Sequence, residues 1–345
     1  MNSGRLPFAA LVAGFLLAPS ARAAAEWGGS FPPGHRQNLR LHGGAATRFE
    51  GLVAETTRKV YDVTGQTWLQ DEAERYDTSD FDLDGPYGLV GLSGDALGKF
   101  VGFRIETSFF QPSTRTTARR DYYLAVGDDV EYGGRRYDHL MIPAGTPFEA
   151  ELTGNLTELD LRLIPVGFRI GDAWRVNPSL ELGVLFFGGK YDIDAGASTG
   201  TTQYQNPPED FVVGGRATGY AGLITPQWGP GLDVRYGRAG GVQFVLQGQV
   251  LFFDYDGGTS FFTSADHREK NLDFSHRNYR LRGQLEFPLE RTALTVGVQI
   301  QWIDADGTIE SQATDPEEIL ERRERFDKEF SFGLETVLAT LGVTF

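Results

Sequence analysis

The last sixteen residues, Phe330 to Phe345, read FSFGLETVLATLGVTF and constrain the fold more than any other stretch. Every second residue from the C-terminus is apolar: Phe345, Val343, Leu341, Ala339 and Val337. Between them stand Thr344, Gly342, Thr340 and Thr336, small or polar, with Leu338 the exception. A period of two marks a strand whose two faces meet different surroundings.

The same alternation recurs along the chain. Val101, Phe103, Ile105 and Phe109 oppose Arg104, Glu106 and Ser108; Leu159, Leu161 and Leu163 oppose Glu158, Asp160 and Arg162. Leu180, Leu182, Val184 and Phe186 carry one face of the next strand, with Glu181 on the other. Asp233 and Arg235, then Arg280, Arg282 and Glu286, lie opposite apolar rows further on. Connections alternate between long and short, and aromatics gather near strand ends. Composition by itself would also suit a secreted soluble β-protein. That class has no need of such loop asymmetry, nor of Arg, Glu and Gln along one face of nearly every strand. The pattern therefore predicts an all-β, antiparallel transmembrane β-barrel with long extracellular loops and short periplasmic turns. Ten strands is the expected number. Eight or twelve also fit, because the first two strands are faint. A mean hydropathy of −0.29 suits a barrel, which shows lipid only half of each strand.

The N-terminus adds a charged start at Arg5, an apolar run from Phe8 to Ala18, and Ala21-Arg22-Ala23 as a small-x-small cleavage pattern. Residues 1–23 read as a signal peptide, 24–44 as a periplasmic lead-in broken by Pro32-Pro33-Gly34, and 45–345 as one barrel domain. No other window is apolar enough for a membrane helix of about 20 residues. Cysteine is absent, which excludes disulfides and thiolate chemistry. A formal net charge of −15 argues against nucleic acid as a partner.

The C-terminal row ending on an aromatic residue resembles the closing strand of bacterial outer-membrane β-barrels. The resemblance implies a Gram-negative cell envelope, residence in the outer membrane after signal-peptide-directed export, and Phe345 as part of the signal read by the barrel-assembly machinery. Outer-membrane lipid and lipopolysaccharide are then the expected neighbours.

With the apolar rows in lipid, the lumen receives Arg104, Glu106, Glu158, Asp160, Arg162, Glu181, Asp233, Arg235, Arg280, Arg282 and Glu286. Charges of both signs in a narrow barrel make either an internal ion-pair network or the lining of a small porin-like pore. Narrow barrels are filled by side chains, whereas open channels come at about sixteen strands; a filled lumen is the expectation. No HExxH, GxSxG or phosphate loop occurs, and neither a metal nor a cofactor is implied. Ser275-His276 is the only neighbouring Ser–His pair near the membrane edge, and period two turns His276 inward and Ser275 outward. Asp315-Pro316 followed by acids predicts a short helix over 315–326 in the last loop.

Ten strands and five tall loops also resemble the omptins, outer-membrane proteases that join an Asp pair from the second loop to an Asp–His couple from the fourth. Here the matching loops hold Asp128-Asp129 and Asp266-His267. Omptin pairs skip one residue and so share a strand face; adjacent residues do not. The expectation is thus a non-enzymatic barrel, structural or binding through its extracellular loops, with a narrow pore as a variant. The alternative is an omptin-like protease or other barrel hydrolase. The sequence does not name the extracellular ligand.

Overall fold

The computed structural model describes residues 36–56, 59–62, 67–70, 74–98, 100–164, 167–204, 209–238, 240–258, 268–290, 292–313 and 324–345. Ten antiparallel strands close into a barrel: β1 Arg36–Thr56, β2 Tyr87–Leu97, β3 Val101–Phe110, β4 Pro147–Leu163, β5 Trp174–Asp194, β6 Arg216–Tyr236, β7 Gln243–Gly258, β8 Arg268–Pro288, β9 Ala293–Ala313 and β10 Glu324–Thr344. Each pairs with its sequence neighbour, and β10 pairs with β1 to close the ring, Asn38 opposite Thr344 and Leu41 opposite Leu341. Phe345 completes the seam: its N–H donates to the Gln37 carbonyl at 2.8 Å, and its carbonyl accepts from Gln37 N–H at 3.3 Å. Closure removes the edge that an open sheet would expose to hydrocarbon.

The outer surface explains the composition. On β6, Tyr236 and Trp228 stand eight residues apart; on β7, Phe244 and Phe252; on β8, Phe287 and Tyr279; on β9, Leu294 and Trp302. Register places Trp228 opposite Phe252, Tyr236 opposite Phe244 and Tyr279 opposite Trp302. Eight residues at ~3.3 Å rise, on strands tilted by roughly 40°, span about 20 Å, close to the apolar band of a transmembrane barrel. These are two girdles, and Leu232, Val250, Leu281, Leu285, Val296 and Val298 are exposed between them.

Four features differ from the sequence reading. The first strand starts at Arg36, so 36–44 belong to the wall and not to a periplasmic lead-in. Leu39 and Leu41 alternate there with Asn38, Arg40 and His42, but the Gly43-Gly44 pair hides the pattern. From sequence, Gly94 to Gly98 reads as a short turn; instead Asp95 lies within β2, because the ladder with β3 continues to Leu97. At Ile164-Pro165 the apolar alternation slips by one residue, which from sequence reads as a bulge; β4 instead ends at Leu163. Phe168–Ile170 folds back on Trp174–Val176 as a short hairpin, and Pro165 lies outside the described residues. In the last loop, Glu324–Phe326 are strand where a helix over 315–326 is expected from sequence; residues 315–323 lie outside the described set.

Above the wall, the long loops build a lobe. Tyr122–Tyr132 and Arg135–Ile142 form a hairpin through Gly133-Gly134, whose φ of 59° and 76° suit the primed turn that two-residue hairpins favour. Glu209–Val213 and Gly200–Tyr204 extend it to four strands. A single 3-10 turn, Thr78–Phe81, inserts Phe81 into the lobe core.

Candidate functional site

The lumen holds two layers of different chemistry. The lower layer is ionic. Residues two apart share a strand face, so Arg104 and Glu106 on β3, and Glu158, Asp160 and Arg162 on β4, all point into the lumen. Cross-strand register puts Arg104 opposite Asp160, and Arg162 opposite Glu181. Arg162 Nε donates to Glu181 at 3.0 Å, and Arg235 Nε to Asp233 at 3.0 Å, with Glu286 3.7 Å away. Arg104 lies 3.3 Å from Asp95, 3.8 Å from Glu181 and 3.9 Å from Asp160.

One cross-strand pair is unfavourable as it stands. Glu106 and Glu158 face each other directly, and like charges in that position repel. The remedy comes from the far wall, because β8 lies five strands from β3 in a ring of ten. Arg280 crosses the lumen to pair with Glu158, with Glu106 at 3.8 Å and Asp160 at 3.7 Å. Arg282, 1% exposed, reaches Glu106 at 2.8 Å and Asp95 at 3.9 Å. Arg40 closes the set on Asp95. Amides fill the remaining acceptor sites: Gln299 donates to Glu106 at 2.6 Å, Asn278 to Glu158 at 3.0 Å and Gln227 to Asp160 at 3.1 Å. At the periplasmic mouth this packing leaves a cavity of about 20 Å³, lined by Asp95, Arg104, Asp160, Arg162 and Glu181 among others. That is roughly the room one water needs.

His42 and His276 sit where the ionic layer ends. The His42 ring lies 2.9 Å from Ser108 Oγ, and His276 Nε2 lies 3.1 Å from the Gln227 side-chain oxygen. Gly91 makes room for the first of these. A Cβ there would run into His42 Nε2 and the Thr107 carbonyl. Both rings are enclosed, and Ser275 faces outward, exposed. The Ser275-His276 neighbours therefore form no joint site.

The upper layer is aromatic. Phe49 packs against Phe110 at 5.8 Å, Phe187 at 5.9 Å, Phe332 at 5.8 Å and Tyr87 at 6.0 Å between ring centres. Such tilted and edge-on contacts are the favoured aromatic geometries. Phe49 faces inward because the ladder to β10 skips Thr47, which switches the parity of β1. The lobe core continues the layer outward. Tyr122 lies 5.2 Å from Tyr76 and 5.6 Å from Phe81, and Phe148 packs on Phe81 at 5.8 Å. Tyr122 Oη donates to the Asp80 carbonyl at 3.1 Å, and burial raises the pKa of that hydroxyl.

The structure thus turns all eleven sequence-derived lumen residues inward: eight share one ion-pair network, and Arg235 pairs with Asp233 and Glu286 beside it. It adds Arg40, Asp95 and His42, which the sequence reading did not place in the lumen. Asp128 and Asp129 lie in the outer hairpin, where the ladder shifts between Ala125 and Val130; their side chains, and Asp266 and His267, lie outside the described residues.

No protein-family model and no curated protein matches the sequence. Among solved structures, the chain is similar to the outer membrane protease OmpT from Escherichia coli, at 10% identity over 92% of this chain and 99% of that one, with a TM-score of 0.38. A Pseudomonas aeruginosa FadL homologue follows at 9% identity, 91% coverage of both chains and a TM-score of 0.25. The P. putida toluene transporter TodX gives 11% identity over 91% and 90%, with a TM-score of 0.17. At such identities and scores the fold assignment rests on the barrel's own geometry: a transmembrane β-barrel of the bacterial outer-membrane type.

Proposed function

We propose that this protein is a non-conducting outer-membrane barrel that displays its extracellular lobe as a binding module. The observation that supports this reading most directly is the cross-lumen bracing by Arg280 and Arg282 beneath the Phe49 layer. A pore lining needs charges that face water. Here they face one another, and an apolar plug covers them. The wall then serves as anchor and the lobe as the recognition surface. On the same reading, residues 1–23 direct export, Phe345 belongs to the assembly signal, and the two girdles seat the wall among outer-membrane lipid and lipopolysaccharide.

The test is planar-bilayer recording of the refolded mature protein, residues 24–345, with heat-modifiable gel migration confirming the barrel. A folded, electrically silent protein is the expected result. Discrete conductance steps would overturn the filled-lumen reading. Cleavage of peptides by the same preparation, lost on replacing Asp128, Asp129 or His267, would overturn the non-enzymatic part and favour the protease.

A further inference from the structure

The wall is not paired equally all round. β5 and β6 are in register from Trp174–Tyr236 to Asp194–Arg216 without a break, and β8 and β9 from Arg268–Ala313 to Pro288–Ala293. Between β6 and β7 the ladder runs from Tyr236 to Gly231, skips Pro230 and Gly229, returns once at Trp228–Phe252 and stops. Among the described residues, Gly222 to Gln227 of β6 pair with none of Phe253 to Gly258 on β7. The cause is legible in β6 itself, which carries Pro226 and Pro230. Proline has no N–H, and alternate residues of a strand bond the same neighbour. The β5 ladder passes both prolines unbroken, so both missing donors belong to the β7 side.

The break begins at the upper girdle, where the Trp228 and Phe252 rings meet at 4.3 Å. Beyond it the edge of β6 still turns apolar groups outward, Ile224 at 71% and Tyr220 at 62% exposure. This edge is therefore continuous with the lipid-facing belt. Facing it on the β7 side are Asp254 and Asp256, exposed, with Arg277 donating to both oxygens of Asp254 at 2.7 and 3.0 Å. Behind the break the inward faces are also apolar. Leu223 on β6 and Phe253 on β7 are half-buried and pack against the core; Phe253 lies 6.4 Å from Tyr255 and 6.0 Å from Phe274. The floor is the buried polar row of Thr225, Gln227 and His276.

A sheet edge cannot face bare hydrocarbon without cost, because its backbone groups lose their partners. At headgroup depth, an amphiphile resolves this: its polar end meets the edge and its chain meets the apolar interior. We propose that the break between β6 and β7 is a lateral entry for an acyl chain of an outer-leaflet lipid, which lies inside the wall against Leu223 and Phe253. The proposal concerns a site distinct from the lobe surface and stands whether or not the lobe binds a ligand.

The test uses the mature protein in vesicles containing a phospholipid with a photoactivatable diazirine on its acyl chain, with adducts mapped by peptide mass spectrometry. Adducts on the inward Leu223 or Phe253, beside those on the outward Ile224, are expected. Adducts confined to outward-facing residues would overturn the proposal. The double variant Pro226→Val, Pro230→Val returns two donors to the ladder. Inward adducts should then fall several-fold while those on Ile224 persist. Inward labelling unchanged in a folded double variant would refute entry through this break.

Discussion

The ionic floor and the aromatic ceiling of the lumen pack the same barrel by opposite means. In the floor, each arginine is held by named partners at fixed distances, and the decisive contacts join opposite walls. In the ceiling, Phe49 touches four rings, and no one contact defines the arrangement. Burying a charge is costly unless it is paired, so the floor depends on every member. Burying a ring is favourable on its own, so the ceiling depends on volume and shape. One layer is a set of mutual obligations; the other is a packed solid.

The contrast is most sharply tested from the floor. Arg280→Leu would leave Glu106, Glu158 and Asp160 together without their shared cation. Removing one partner of a buried pair costs about 3–5 kcal/mol, so the denaturant midpoint of the vesicle-inserted barrel should fall steeply. A loss below about 1 kcal/mol, the range of exposed pairs, would show that water reaches these groups and would break the contrast. Phe49→Ala in the ceiling should cost about 3–5 kcal/mol by the cavity it opens. The variant should nonetheless stay silent in planar bilayers, since the braces beneath it remain. Conductance steps in Phe49→Ala alone would mean that the aromatic layer is the only seal.

Smaller effects belong to the margins. Gly91→Ala forces His42 or the β2–β3 backbone to move, an overpacking cost of about 1–3 kcal/mol measurable in the same unfolding assay. In the lobe, Arg119 lies 2.8 Å from Asp82 with both side chains exposed. Arg119→Ala should shift stability by no more than about 1 kcal/mol, and less at high salt. Asp192 sharpens the comparison through pH. Burial alone would raise its pKa, but hydrogen bonds from Lys190 and from the Thr218 hydroxyl hold it below the ordinary carboxylate value. A depressed folded-state pKa adds stability above the unfolded value and loses it as pH falls through the folded one. Asp192→Asn should therefore flatten the acid limb of the stability profile slightly and leave neutral pH nearly unchanged.

The wall was legible because lipid imposes a strict two-residue period. That period assigned all eleven charged residues from Arg104 to Glu286 to one face of their strands, and the structure places that face inward. Arg40 and His42 escaped because glycines interrupt their alternation, and Asp95 because Gly94 and Gly98 resemble a turn. Phe49 could not be oriented in advance, since the bulge at Thr47 reverses the parity of β1. The omptin-type residues in the second and fourth loops gave the sequence a hypothesis that the described side chains do not reach.

Sequence alone determined the class of fold, because a strand in lipid must separate its faces and most of the strands carry that record locally. Only the tertiary structure decided which lumen charges meet. Glu106 and Glu158 look repulsive on neighbouring strands, and the guanidinium that reconciles them arrives from β8, five strands away. No local pattern encodes which residues meet across a closed ring. That meeting depends on the register of all ten strands at once.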